Sequence, residues 1–278
     1  MRTLLAGAAA LAVTALPIAA FATPAAAADD ATVVVVHGVP DLTVDVYVSA
    51  DATYTKEEAL LTNFTPGTVT DPVKLAGGTY NLAVFPAKAD PSGDPAIEAN
   101  DVTVPAGANI TVAAHLDADG KPVLTPFVND VSKVAAGQGR LIVRHTAAAP
   151  PVDVLAGGTA VFTDLANPDE AKADLPAGTV SASVALAGTT DPVIGPADVP
   201  VVEGQATIVY AWGSAADKNL AVAVQTISGL HSSPSGVPSG TADTPADRAP
   251  LLLGGLALLG VVVAGGAAAQ ARRVRVND

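Results

Sequence analysis

Two stretches of the chain carry the same chemically capable pair at the same spacing. In VVVVHGVPDLTVDV (residues 33–46) His37 stands eight residues before Asp45, and in LIVRHTAAAPPVDV (residues 141–154) His145 stands eight before Asp153. An imidazole beside a carboxylate is the general-base half of a catalytic triad: the carboxylate orients the ring and the ring takes the proton. The same two residue types, placed apart, hold loops by bonding backbone groups. Which of these applies depends on the strands that carry them.

Both motifs sit on short Val-rich runs that alternate or stay apolar throughout, the pattern of strands. A hairpin between the first two strands of each copy sets His37 opposite Val44 and puts Val33, Val35, His37, Val44, Val46 and Val48 on one core face. In the second copy the same register sets His145 opposite Val152, beside Leu141, Val143 and Val154, and on the outer face pairs Arg144 with Asp153 as a cross-strand ion pair. The histidines then close the end of the core by bonding the loops Gly38–Thr43 and Thr146–Pro151, while Asp45 and Asp153 point the other way. That is poor geometry for a dyad, so no catalytic residue is assigned. Strands in opposite sheets would let the two residues approach differently.

Other chemistry is sparse. The chain has no cysteine, which removes disulfides, thiolate metal sites and thiol nucleophiles. Its four histidines, His37, His115, His145 and His231, lack metal-ligand spacing, so no metal or cofactor is expected. No serine lies in a nucleophile elbow and no glycine loop opens a helix. LDADGK (residues 116–121) reads as a hairpin turn rather than a calcium loop, and LPAGT (residues 175–179) as a turn between strands. In TIVYAW, Ile208, Tyr210 and Trp212 share one face of a strand. Exposed, such a row stacks sugar rings; buried, it packs in the core or against the other copy.

The elements that position these residues are themselves duplicated. LLTNF (60–64) matches VFTDL (161–165), LAGGTYNLAV (75–84) matches LPAGTVSASV (175–184), and DVTVPAGANITVAAH (101–115) matches DVPVVEGQATIVYAW (198–212). The offset shrinks from 108 at the histidines to 97 at the last match, which places insertions in the first copy. Strands are expected at 32–37, 43–49, 59–63, 71–75, 79–85, 97–104, 109–116 and 123–128, with one short helical turn in TKEEALL (55–61). Seven or eight short strands per copy predict an all-β fold, two tandem immunoglobulin-like or Greek-key β-sandwiches over 29–130 and 138–228, joined by a linker at 131–137.

The ends of the chain have a different character. Residues 1–28 put Arg2 before an apolar run and a string of small residues, the pattern of a secretory signal peptide. Residues 229–249 are rich in Ser, Pro, Gly and Thr and read as a linker. Leu251–Ala269 carries no charge and as a helix spans about 28 Å, so a transmembrane helix is expected over 250–270. Arg272, Arg273 and Arg275 place the tail 271–278 on the cytoplasmic side and the sandwiches outside. Between signal and anchor, ten Lys and Arg stand against 26 Asp and Glu, a net charge of −16. Such a surface does not bind nucleic acid or anionic lipid, both of which need basic groups to neutralise phosphate.

The combination VVHGVPDLTVDVYV, LAGGTY and PAGANITV resembles the bacterial family catalogued as domain of unknown function 4397. The second copy departs from it, with HTAAAPPVDV lacking the Pro-Asp step and Val180 in place of Tyr80. The resemblance implies a secreted or surface-attached β domain, often in tandem, with no established enzymatic activity. Together these readings predict a single-pass surface protein with a structural or adhesive role at the bacterial envelope, its partners being the membrane through its C-terminal helix and envelope polysaccharide or surface proteins. The alternative is a carbohydrate-binding module that uses the Ile208, Tyr210 and Trp212 face.

Overall fold

The computed structural model describes residues 29–232, whose regular structure is sixteen strands and one short 3-10 turn. The first repeat contains β1 (Ala31–Gly38), β2 (Val44–Ser49), β3 (Ala59–Phe64), β4 (Val73–Leu75), β5 (Gly78–Pro86), β6 (Ile97–Val104), β7 (Asn109–Leu116) and β8 (Pro122–Val128). The second contains β9 (Gln138–Ala148), β10 (Val152–Ala156), β11 (Thr159–Leu165), β12 (Glu170–Pro176), β13 (Gly178–Leu186), β14 (Pro192–Val201), β15 (Gln205–Ser214) and β16 (Ala221–Ser228). The expected turn in TKEEALL is one short 3-10 turn, Lys56–Glu58, ahead of β3. Among the described residues no helix is long and apolar enough to cross a membrane. The signal peptide, most of the linker, the membrane helix and the tail expected from sequence lie outside the described residues.

Each repeat has two four-stranded sheets with matching orders, β4-β1-β7-β8 and β3-β2-β5-β6 in the first, β12-β9-β15-β16 and β11-β10-β13-β14 in the second. β1 runs parallel to β7, with Val35 beside Val112, and β9 runs parallel to β15, with Ile142 beside Ile208; the other ladders are antiparallel. This corrects the expected hairpin, because the first and second strands of each repeat lie in opposite sheets. Alternation identifies the side chains that face inward, and two strands facing each other across a core satisfy it as well as two neighbours in one sheet do. Val33 and Val35 of β1 accordingly meet Val44 and Val46 of β2 across the interior, with Phe64, Leu82, Val84 and Val112 around them. The chain crosses between sheets through the loop Val39–Thr43, with Asp41 in the left-handed region at φ 58°.

The two repeats pack through the sheets that contain β1 and β9. Val36, Ala113 and Phe127 of the first repeat form one cluster with Ile142, Ile208, Tyr210 and Ala223 of the second. The central strands β1, β7, β9 and β15 are therefore covered on both faces, one by their own core and one by the other repeat. That double burial explains why VVVVHG, ITVAAHL and LIVRHT read as nearly unbroken apolar runs, whereas β6 and β14 in the outer sheets alternate with exposed residues.

Candidate functional site

His37 ends β1 with its ring turned inward against Phe64, centroids 5.5 Å apart and planes 26° from parallel. Its Nε2–H donates to the Leu42 carbonyl at 2.7 Å, and its Nδ1 accepts the Val39 N–H at 3.4 Å. His145 repeats the arrangement, with Nε2–H to the Pro150 carbonyl at 3.1 Å and Nδ1 accepting the Ala147 N–H at 3.3 Å. Both rings are fully buried, and burial lowers both pKa values against the opposing pull of the loop carbonyls. Each imidazole is thus neutral, in one tautomer, with both nitrogens engaged.

The aspartates are engaged elsewhere. Asp45 Oδ1 accepts the Asn63 N–H at 2.7 Å and Oδ2 the Lys88 N–H at 2.9 Å. Asp153 Oδ1 accepts the Asp164 N–H at 2.9 Å and Oδ2 the Gly188 N–H at 2.8 Å. All four donors belong to residues in the left-handed region, Asn63 and Asp164 in the bulged strands β3 and β11, Lys88 and Gly188 in the turns after β5 and β13. A bulge and a turn leave N–H groups off the ladder, and one carboxylate takes up both. No hydrogen bond joins His37 to Asp45 or His145 to Asp153. The repeated pair therefore forms two separate backbone clasps, one in each sheet.

The structure also corrects two other expectations. Arg144 does not face Asp153, since β9 and β10 are in opposite sheets; it is fully buried and bonds Glu170 at 2.9 Å. The row Ile208, Tyr210 and Trp212 is not an open ligand face, because Ile208 and Tyr210 are fully buried against the first repeat. Around Arg144 and Tyr210 sit Thr111, Phe127, Asn129 and Gln225, which spacing did not single out. Arg144 also donates to Tyr210 Oη at 2.6 Å and to Asn129 Oδ1 at 2.8 Å, with its guanidinium 4.3 Å from the Phe127 ring centre. Tyr210 donates to Gln225 Oε1 at 2.7 Å, and Thr111 donates to the same oxygen at 2.9 Å. The signal was present in the sequence as single polar residues inside apolar strands, Thr111 in ITVAAH, Arg144 in LIVRHT and Gln225 in AVAVQTI. The connector between repeats is tied down beside this network: Asp130 bonds Arg140 at 2.9 Å and Lys172 at 2.7 Å, which with Ser132 holds its carboxyl far below the usual carboxylate range.

Trp212 lies at the end of the same face and is half-buried. It wedges between two glycines of the first repeat: a Cβ on Gly38 would stand 2.9 Å from Trp212 Cβ, and one on Gly67 would stand 3.0 Å from the indole ring. Trp212 also walls a cleft of about 420 Å³ with Pro40, Asp41, Leu42, Thr43, Pro66 and Asn219. The loop that His37 clasps forms the opposite wall. Asp41 is the cleft's one ionisable lining residue, so the arrangement can accept hydrogen bonds and stack an apolar surface but offers no nucleophile and base in contact. Among the described residues no group of three His, Asp or Glu side chains is placed to hold a metal ion.

The family described as Domain of unknown function (DUF4397) matches residues 31–155, which covers all of the first repeat and ends in β10, two strands into the second. The similarity seen in VVHGVPDLTVDVYV, LAGGTY and PAGANITV is thus shown over that segment. No curated protein matches the chain.

Proposed function

We propose that this chain is a non-enzymatic cell-surface protein that displays two fused β-sandwiches in a structural or adhesive role at the bacterial envelope. In this reading residues 1–28 direct export, 29–130 and 138–228 are immunoglobulin-like Greek-key units, 229–249 are a spacer, and 250–270 anchor the chain in the membrane with 271–278 inside. The matching sheet orders and the parallel first and seventh strands support the immunoglobulin-like assignment. The observation that carries the functional reading is the use of the repeated His and Asp: every ring nitrogen and carboxylate oxygen of His37, Asp45, His145 and Asp153 is bonded to backbone. These side chains hold loops and bulges in place rather than facing a substrate. An acidic surface around that frame, at a net −16, favours solubility and uncharged or cationic partners.

A second reading rests on one observation, the cleft where half-buried Trp212 of one repeat meets Pro40 and Asp41 of the other. Its indole Nε1–H is buried without a partner, a donor that a hydroxylated ligand could satisfy after a small shift. Envelope polysaccharide is the fitting class. Two experiments on the full chain test these readings. With an epitope tag at the C-terminus, protease added to intact cells should release the sandwiches and leave the tag inside; a chain cut only after lysis would refute surface display. Cells with and without the chain should differ in adherence to purified envelope polysaccharide, and Trp212→Ala should abolish that difference if the cleft binds it. Adherence unchanged by Trp212→Ala would remove the second reading.

A further inference from the structure

The two repeats share a topology but not the same interior. In the first, Leu82 of β5 and Leu124 of β8 fill the space between the sheets, and what remains is a cavity of about 100 Å³. The ladders place Ala182 of β13 where Leu82 stands and Val222 of β16 where Leu124 stands, since Leu82 and Ala182 are each the fifth residue of their strand, and Thr125 and Ala223 pair with Ala113 and Tyr210 at matching positions. The second repeat accordingly holds a cavity of about 270 Å³, lined by Leu141, Val143, Val154, Ala182, Ile194 and Val209 among others. Its walls are almost wholly apolar.

The cavity also has an entrance. In the first repeat the edge strands β6 and β8 approach one another and shut the sandwich, while β14 and β16 make no comparable approach. Val222 and Val224, which line the cavity from β16, remain 42% and 49% exposed. Core-side valines that see solvent mark an open edge rather than a sealed void. An apolar pocket open to solvent gains by exchanging its water for an apolar guest, and by proportion with a cavity of about 150 Å³ that accommodates benzene this one takes about ten carbons.

We infer that the second repeat binds a single uncharged aliphatic chain, entering between β14 and β16 and lying between its two sheets. Packed sheets lie about 10 Å apart, a spacing in which a single aliphatic chain fits. The charge at the entrance selects the head group: Asp198 is the one charged residue lining the pocket, and no Lys or Arg lines it to pair with a carboxylate. A hydroxyl or ester head fits this rim, and a carboxylate does not.

The test uses residues 29–232, which close their own cores and form one compact unit. Titration of this fragment with 1-octanol, followed by calorimetry, should show saturable binding at one site per chain. Ala182→Leu with Val222→Leu, which restores the side chains of the first repeat, should weaken that binding at least tenfold and leave the melting temperature of the free protein equal or higher. Octanoate should bind more weakly than octanol. No saturable binding by the wild type, or equal binding by the filled variant, would overturn the inference, and tighter binding of octanoate would overturn its head-group part. Should the double variant not unfold cooperatively, Val222→Leu at the entrance carries the same test alone.

Discussion

Three imidazoles, His37, His115 and His145, are buried, and burial lowers the pKa of each from the ordinary value of 6.5. His115 resembles the other two in having both nitrogens bonded, to the Leu116 carbonyl and to Thr125 Oγ1, each at 2.8 Å. A lowered folded-state pKa means that the unfolded chain binds protons first as pH falls. Stability is therefore full above about 6.5 and declines as pH drops from there toward the folded values. The melting temperature of residues 29–232 should be lower at pH 5 than at pH 7.5, and His145→Gln should lessen that difference while lowering stability at both. A melting temperature flat across this range would show that the rings are not held neutral. The carboxylates predict a separate effect. Asp153→Asn keeps one acceptor oxygen but turns an N–H₂ toward a backbone donor, so it should destabilise by about 1–3 kcal/mol in chemical denaturation. A neutral result would mean that the bulge in β11 holds itself.

At the scale of the elements, the strands and their inward faces were legible because valines alternate with polar residues over short runs. Sheet membership was not. The partners of β1 are β4 and β7, and the β7 partners lie more than 70 residues along the chain, a distance at which spacing gives no information. The loop bond of each histidine was legible for the opposite reason, since Leu42 and Pro150 lie five residues away. The carboxylate bonds were not, because Lys88 and Gly188 come from turns 43 and 35 residues distant. The same limit applied to Trp212, whose sequence neighbours say nothing about Gly38 and Gly67. Gly67 has φ 78°, so Gly67→Ala should cost about 1–2 kcal/mol from left-handed strain alone, with a further loss from contact with the indole. In a Trp212→Ala background only the strain should remain. An identical cost in both backgrounds, measured by a double-mutant cycle, would place the indole away from that glycine.

For the molecule as a whole, the central strands are apolar on both faces because two sandwiches share an interface, and a sequence reads such strands the same way whether they lie in a core or between domains. Arg144 is the clearest marker of the difference. A fully buried guanidinium bonded to Glu170 and Tyr210 of its own repeat and to Asn129, just past β8 of the first, ties the two repeats together. Glu170 is exposed and returns to solvent when the guanidinium is removed, but buried Asn129 and Tyr210 each lose a donor, a loss of about 1–3 kcal/mol for a buried group left unsatisfied. The most direct measurement is differential scanning calorimetry of residues 29–232 with and without Arg144→Ala. Two repeats acting as one body should melt in a single transition, and the substitution should lower it or split it in two, with the fluorescence of Trp212, the chain's single tryptophan, changing at the earlier step. Two independent transitions in the wild type, unmoved by Arg144→Ala, would contradict a fused pair and leave two sandwiches that merely follow one another along the chain.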